Sequence, residues 1–320
     1  MHKVLVAGGA GFIGANLCER LLQENCIVYC IDNLITGDRA NVDLLKSYKE
    51  FSFIEHDITR PFSLADFHIE SVDAIYHLAS PASPNKNSQY SYMNYPIETL
   101  LVNSFGSHVL LTIAKEHHAA FLYASSSEVY GDPTVSPQKE DYTGNVSSVS
   151  VRSVYDEGKR FGEAITMAYV RKHNVDARIV RIFNTYGPRM RSDDGRVISN
   201  LISQALQGKP LTIFGSGKQT RSFCYVSDLV GGLVLALEKD MTKGSVVNVG
   251  NPDERTIGEL AILIKNMTKS KSDIVYEALP EDDPKTRKPD IAKAKKLLDW
   301  EPSITLEEGL QKTIEYFKNR

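Results

Sequence analysis

The sequence has no excess of charge of either sign, no paired cysteines and no long apolar run. Lys and Arg number 37 against 40 Asp and Glu, a net charge of −3. A nucleic-acid binder shows a basic face or a basic total. Nucleic acid is therefore not expected as a partner, and any bound polyanion is a small molecule held by a few arginines. Cys18, Cys26, Cys30 and Cys224 form no Cys-x-x-Cys pair. They read as small buried residues of a reducing compartment rather than disulfides or metal ligands, and no metal site is expected. The first apolar run, Val4–Ala7, is broken by Gly8 and Gly9 and is too short for a signal or membrane segment. The expectation is a cytoplasmic protein with no membrane partner. There is no internal repeat and no low-complexity tract.

What is present is an alternation. Lys3–Ala7, Ile27–Asp32, Phe51–Glu55, Ala74–Leu78, Phe121–Ser125 and Arg178–Phe183 read as buried strands. Most are flanked by stretches with helical spacing of Leu, Ile and Ala. That order argues for βαβ units, and right-handed crossovers make them an α/β, Rossmann-type doubly wound parallel sheet. After residue 185 the rhythm changes. Gly187–Arg196 is a Gly-, Pro-, Arg- and Asp-rich loop, followed by a helix at Val197–Leu206 and a turn at Gly208–Pro210. Ser245–Val249 reads as a further strand. Thr256–Met267 and Leu306–Phe317 read as amphipathic helices. The expected division is a dinucleotide-binding domain over 1–183 and a smaller, mainly substrate-binding lobe over 184–320, with the chain crossing between them. In such folds ligands bind at the carboxyl ends of the strands.

Gly8-Gly-Ala-Gly11-Phe12-Ile13-Gly14 follows the first strand and opens a helix. Glycines let the backbone turn and approach a pyrophosphate, and the helix start offers free N–H groups to the anion. Alone, this is also a bare strand–helix turn. Asp32 ends the second strand, where a carboxylate accepts bonds from adenosine ribose hydroxyls. It repels a 2′-phosphate, so NAD is favoured over NADP, although Arg39 nearby can soften that repulsion. Asn33 lies beside Asp32. Asp57, with Ile58 after it, ends the third strand. Asp57 reads equally as an adenine contact and as a helix cap.

Tyr155 and Lys159 are four residues apart, on one face of a helix. An ammonium near a phenol favours the phenolate, so the tyrosine can act as a base. The lysine can also hold a nicotinamide ribose. Ser125-Ser126-Ser127-Glu128 ends the fifth strand, where a hydroxyl can bond a sugar oxygen whose proton is leaving. A serine-rich turn is the bland alternative.

With these residues the chain resembles the extended short-chain dehydrogenase/reductases, the NAD-dependent epimerase/dehydratase family. The resemblance implies bound NAD and Ser126, Tyr155 and Lys159 as the catalytic set. It becomes narrower at His77–Pro84, Glu128–Pro133, Tyr155–Arg160, Arg181–Met190, Gln219–Phe223 and Asp282–Asp290. Together these are similar to the UDP-glucuronate decarboxylases of that family, over nearly the whole chain. The chemistry implied is oxidation at sugar carbon 4, loss of carbon dioxide from the resulting β-keto acid, protonation at carbon 5 and return of the hydride. Tyr155 would take the oxygen-4 proton with help from Ser126. Glu128 and Arg287 would act around the carboxylate and the carbon-5 protonation. Leu78, Ala79 and Ser80 would line the cofactor, with Pro81 and Ser83 towards the sugar. Asn184, Arg189 and Arg221 would lie near the UDP. A homodimer is implied, through helices around Ile97–Lys115 and Asp156–Arg171.

Three other readings stay open. A 4-epimerase needs only the Ser-Tyr-Lys set and room for a keto sugar to turn. A 4,6-dehydratase carries an Asp-Glu pair after the hydroxyl residue, and here Ser127 stands in the Asp position. A non-catalytic NAD-binding regulator would have no need of Tyr155, Lys159 or the hydroxyl. The chain departs from the decarboxylase pattern in a longer Asn85–Tyr95 segment, in Ser147–Val151 where a Gly-Pro stretch is usual, and in Ser126 where threonine is common.

Overall fold

The computed structural model describes residues 1–85, 88–278 and 286–319. The Asn85–Tyr95 and Asp282–Asp290 segments singled out above therefore lie partly outside the described residues.

Seven parallel strands form the central sheet. They are β1 (Lys3–Ala7), β2 (Ile27–Asp32), β3 (Phe51–Glu55), β4 (Ala74–His77), β5 (Ala120–Ser126), β6 (Ala177–Ile182) and, far along the chain, β11 (Val246–Val249). Their order is β11-β6-β5-β4-β1-β2-β3. Apart from the edge strand β3, whose middle is only partly covered, each is a short apolar run whose inner residues are mostly buried, as expected where helices cover both faces of a parallel sheet. The order reverses between β1 and β4, and the crevice for a ligand opens there, at the carboxyl edge.

On one face lie α1 (Phe12–Gln23) and α7 (Val226–Glu238), with α2 (Arg39–Leu45) packed against α1. On the other lies a long helix, α3 (Pro96–Leu101) and α4 (Ser107–His117), joined through a π-helical turn at Val102–Gly106, beside α5 (Ser153–His173). By length and composition Pro96–His117 could cross a membrane, but half of its apolar window is buried inside this fold. The π turn has a local cause. Asn103 Nδ2 donates to Thr99 O and to Ser80 Oγ, and Tyr123 Oη donates to Asn103 Oδ1. His77 Nε2 sits 3.2 Å from Val102 O.

The rest of the chain builds the smaller lobe: β7 (Thr185–Tyr186), α6 (Val197–Leu206), β8 (Leu211–Phe214), β9 (Thr220–Ser222), β10 (Cys224–Tyr225), β12 (Glu254–Thr256), α8 (Ile257–Thr268), β13 (Ile274–Glu277), α9 (Ala292–Leu298) and α10 (Leu306–Lys318). Its strands pair two by two, β7 with β10, β8 with β13 and β9 with β12. One apolar cluster runs from under α1 and α7 into α6, α8 and α10, so the two parts share a core. The chain returns to the central sheet through α7 and β11, the latter paired along β6.

Candidate functional site

Every group that the sequence offered for a cofactor lies at the carboxyl edge of the sheet. Gly8, directly after β1, has φ +81°, and a Cβ there would meet Ala79 N at 2.6 Å. A Cβ on Gly14 would meet Gly8 O at 2.1 Å. The loop is thus folded on itself and pressed against Leu78–Ala79 at the end of β4. Phe12 and Ile13 open α1, whose N-terminus at Gly11 has no side-chain cap, leaving its first N–H groups to an anion. Asp32 is 9% exposed and accepts from Ala10 N at 3.0 Å and Leu34 N at 2.8 Å. Burial pushes its carboxyl up, against those two donors. Each oxygen keeps a lone pair for a ribose hydroxyl. Arg39 pairs with Glu55 at 2.6 Å, on the strand beside Asp32, so its charge is already shared with a carboxylate and does little to soften the repulsion of a 2′-phosphate by Asp32.

Asn33 and Asp57 meet by a side-chain hydrogen bond. Asp57 also accepts from Thr59 N and Oγ1 at 2.9 and 2.8 Å. Burial would raise its carboxyl, but these donors hold it below the usual range. The Ile58 side chain is a core residue beneath this edge, so only its main chain can face an adenine. Ser80 is fixed by Asn103, and its hydroxyl donates to Pro81 O at 3.0 Å. A dinucleotide fits this cradle: the turn is tight where a pyrophosphate must approach, and one acidic group stands where a ribose would lie.

Ser126 closes β5 and Tyr155 lies in the first turn of α5, with their hydroxyls hydrogen-bonded. Lys159, one turn on, is 3% exposed and donates to Ala124 O at 2.9 Å. Burial lowers the Lys159 ammonium to about 7, partly countered by Glu163. Burial and then the Glu128 charge push Tyr155 up to about 12, with Ser126 and Arg196 working the other way. The Lys159 ammonium lies 5.7 Å from the Tyr155 ring centre and is held by a carbonyl.

Beside this set is a buried charged cluster. Glu128 receives Arg152 Nη2 at 2.6 Å on one oxygen and Arg287 Nη1 at 3.4 Å on the other. Asp156 is hydrogen-bonded to Glu128 as well. Burial would raise Glu128, but Arg152 and Arg287 hold it well below the usual carboxylate range. Burial and then the Glu128 charge push Asp156 far up. Arg287 is placed by Gln138, which is 0% exposed. Gln138 N donates to Lys288 O, its Oε1 accepts from Lys288 N and its carbonyl accepts from Asp290 N, all at 2.8 Å. Ser222 Oγ donates to Arg287 O at 3.3 Å.

The residues expected around the substrate divide. Pro81 and Ser83 are buried next to the cofactor edge, and Ser83 Oγ donates to Asp194 O. Arg221 is 9% exposed on β9, one residue from the Ser222 contact to Arg287. Asn184 is half-buried, and its carbonyl accepts from Cys224 N. Arg189, expected near the UDP, is buried at 8% exposure. Its guanidinium donates to Ala15 O at 2.7 Å and Glu19 Oε1 at 2.8 Å, and so ties its loop to α1.

Four residues join the site that the sequence reading did not single out. Tyr92 stacks on Tyr155 with centroids 5.0 Å apart and rings 11° from parallel. Arg152, Asp156 and Arg196 surround the same tyrosine. Asp156 could have been found as a second carboxylate one residue from Tyr155. Tyr92 gives no local signal, because its partner is 63 positions away.

The sequence profile of the NAD-dependent epimerase/dehydratase family matches residues 4–250. UDP-glucuronic acid decarboxylase 1 of Danio rerio is 50% identical over 315 residues, 98% of this chain and 72% of that protein. UDP-glucuronic acid decarboxylase 6 of Arabidopsis thaliana is 48% identical over 319 residues, 99% of this chain and 89% of that one. Among solved structures, UDP-glucuronic acid 4-epimerase from Bacillus cereus, in complex with UDP-glucuronic acid and NAD, superposes with a TM-score of 0.86 at 31% identity, covering 99% of each chain. An epimerase from Methanothermobacter thermautotrophicus gives 0.89 at 31% identity over 99% of this chain and 92% of that one.

Proposed function

The chain belongs to the NAD-dependent epimerase/dehydratase family, and on that premise we propose that it converts UDP-glucuronate to UDP-xylose and carbon dioxide. The observation that carries this reading is Glu128, buried between Arg152 and Arg287 next to Tyr155. A 4-epimerase, even one acting on UDP-glucuronate, has no proton to deliver to carbon 5, whereas a decarboxylase must protonate that carbon once carbon dioxide leaves. A guanidinium fork beside the acid also holds the substrate carboxylate in a fixed orientation.

Bound NAD supplies a hydride acceptor, and afterwards a hydride donor, at its nicotinamide. Asp32 holds the adenosine ribose and the Gly8–Gly14 turn the pyrophosphate. Tyr155 Oη takes the proton from sugar oxygen 4, with Ser126 Oγ bonded to both oxygens, and later returns it. Tyr92, flat against the Tyr155 ring, keeps the phenol aimed. Among the described residues Arg287 donates to Glu128 through Nη1 at 3.4 Å, and we assign its guanidinium to the sugar carboxylate. Arg221 lies on the UDP side.

The reading also supplies a partner and a compartment. Ile97, Leu101 and Phe105 on the α3–α4 helix and Phe161 on α5 are all exposed, an apolar face that supports a homodimer. All four cysteines are free thiols, which supports a reducing, cytoplasmic setting.

The test is incubation of the purified protein with NAD and UDP-glucuronate, with products identified by mass and proton NMR. Loss of one carbon dioxide with UDP-xylose formed is the expected result. Product of unchanged mass with a galacturonate signal would make the protein a 4-epimerase, in line with its solved neighbours.

A further inference from the structure

Two carboxyls, Glu128 and Asp156, are buried in hydrogen-bond contact. Two carboxylates so placed do not both ionise, so the pair keeps one proton. The arginines decide where the charge sits. Arg152 and Arg287 both touch Glu128, at 2.6 and 3.4 Å. Asp156 has no ion pair among the described residues, and its Oδ1 is buried without a hydrogen-bond partner. A bare buried oxygen is a poor home for charge. Glu128 is therefore the carboxylate and Asp156 the acid. The start of α5 favours an ionised Asp156, but a helix end acts through partial charges, whereas Glu128 is a full charge in contact. Arg152 and Arg287 also favour an ionised Asp156, but burial and the Glu128 charge in contact outweigh them. The remaining groups facing it, Tyr92 and Tyr155, are hydroxyls that burial keeps neutral.

Decarboxylation consumes a proton. The carboxylate leaves as carbon dioxide, its bonding pair passes into a carbon-4/carbon-5 enolate, and carbon 5 takes up one proton. Tyr155 does not supply it, because the proton it takes from oxygen 4 goes back to oxygen 4. We propose that Asp156 is the positioning residue that stores this proton beside Glu128. Asp156 passes its proton to the Glu128 carboxylate, and Glu128 hands that same proton on to carbon 5, which leaves Glu128 ionised again and Asp156 deprotonated. Solvent then refills Asp156. The inference rests on the decarboxylase reading.

Asp156→Asn separates the roles, since the amide still donates to Glu128 but has no proton to pass on. The assay is UDP-xylose formation by the NAD-loaded enzyme across pH, with KM and NAD content measured alongside. The wild-type kcat should fall as pH rises through about 8. In Asp156→Asn, kcat at neutral pH should drop by about tenfold or more, with KM and NAD content unchanged and that fall abolished. Asp156→Glu should restore both kcat and the fall. The idea is overturned if Asp156→Asn keeps the wild-type profile, or loses kcat equally at all pH values while KM rises. Should Asp156→Asn not fold, infrared spectra of wild type labelled with carbon-13 aspartate decide. A protonated carboxyl band at neutral pH that vanishes at higher pH supports the proposal, and absence of the band sinks it. A wild type that releases no carbon dioxide removes the decarboxylase reading, while the infrared band still reports whether the pair holds its proton.

Discussion

Tyr155 and Lys159 work under opposed demands. Both are buried, and burial penalises the charged form of each. Tyr155→Phe keeps the stack on Tyr92 and removes only the proton carrier. It should lower kcat by about 10²–10⁴-fold with NAD still bound, as single-turnover assays would show. Lys159 has a stability signature. Its folded value near 7 lies below its ordinary value of 10.5. Between those values the unfolded chain binds more protons, so this group's penalty is full below pH 7 and fades as pH rises. Lys159→Met should therefore melt at a higher temperature than wild type at pH 6, both free of NAD. The advantage should shrink at pH 9. Melting curves at the two pH values check this, and an advantage that grows with pH would contradict it.

At the scale of elements, much was legible before the structure. The strand runs from Lys3 to Phe183 all formed, because a covered parallel strand is a short apolar block between turn residues. Helix α5 formed three residues earlier than its apolar spacing suggested, with Ser153 rather than Asp156 as its first residue. Helix α7 escaped notice. It is buried on most of its surface, and its near-continuous Val and Leu run carries no clear period. The family resemblance places Arg189 near the UDP, and only the fold reveals Glu19 beside it. The strap around Arg287 was equally hidden, since Gln138 lies 149 positions away. Gln138→Leu would leave the main-chain N–H of Lys288 without its side-chain acceptor, at about 1–3 kcal/mol. The expected outcome is a lower melting temperature and a larger loss in kcat than in NAD affinity, because the cradle is built from β1, β2 and β4, on the far side of the sheet from the strap. Equal losses in both would mean that the strap supports the whole fold rather than Arg287.

At the scale of the molecule, Tyr155 and Lys159, to which we assign the chemistry, share α5 with an uncovered apolar face. Phe161 is 51% exposed and borders a groove of about 610 Å³ that also includes Leu100, Ser104 and Ala164. Glu157 and Arg160 edge the same groove and pair within the helix at 3.5 Å. An isologous dimer suits such a face, since each apolar patch meets its own copy and the two charges can exchange partners across the axis. Stable interfaces bury about 800 Å² per partner, and the exposed side chains of α3, the π turn and α5 form one continuous strip for that purpose. Phe161→Asp places a charge at the centre of that strip and should convert a dimer to a monomer in light scattering or sedimentation. Its side chain points away from Tyr155, so NAD binding should survive, while kcat should fall as the α5 N-terminal turn loses its support. A wild type that runs as a monomer would leave the strip without this role, and a Phe161→Asp protein that stays dimeric would place the interface on another face.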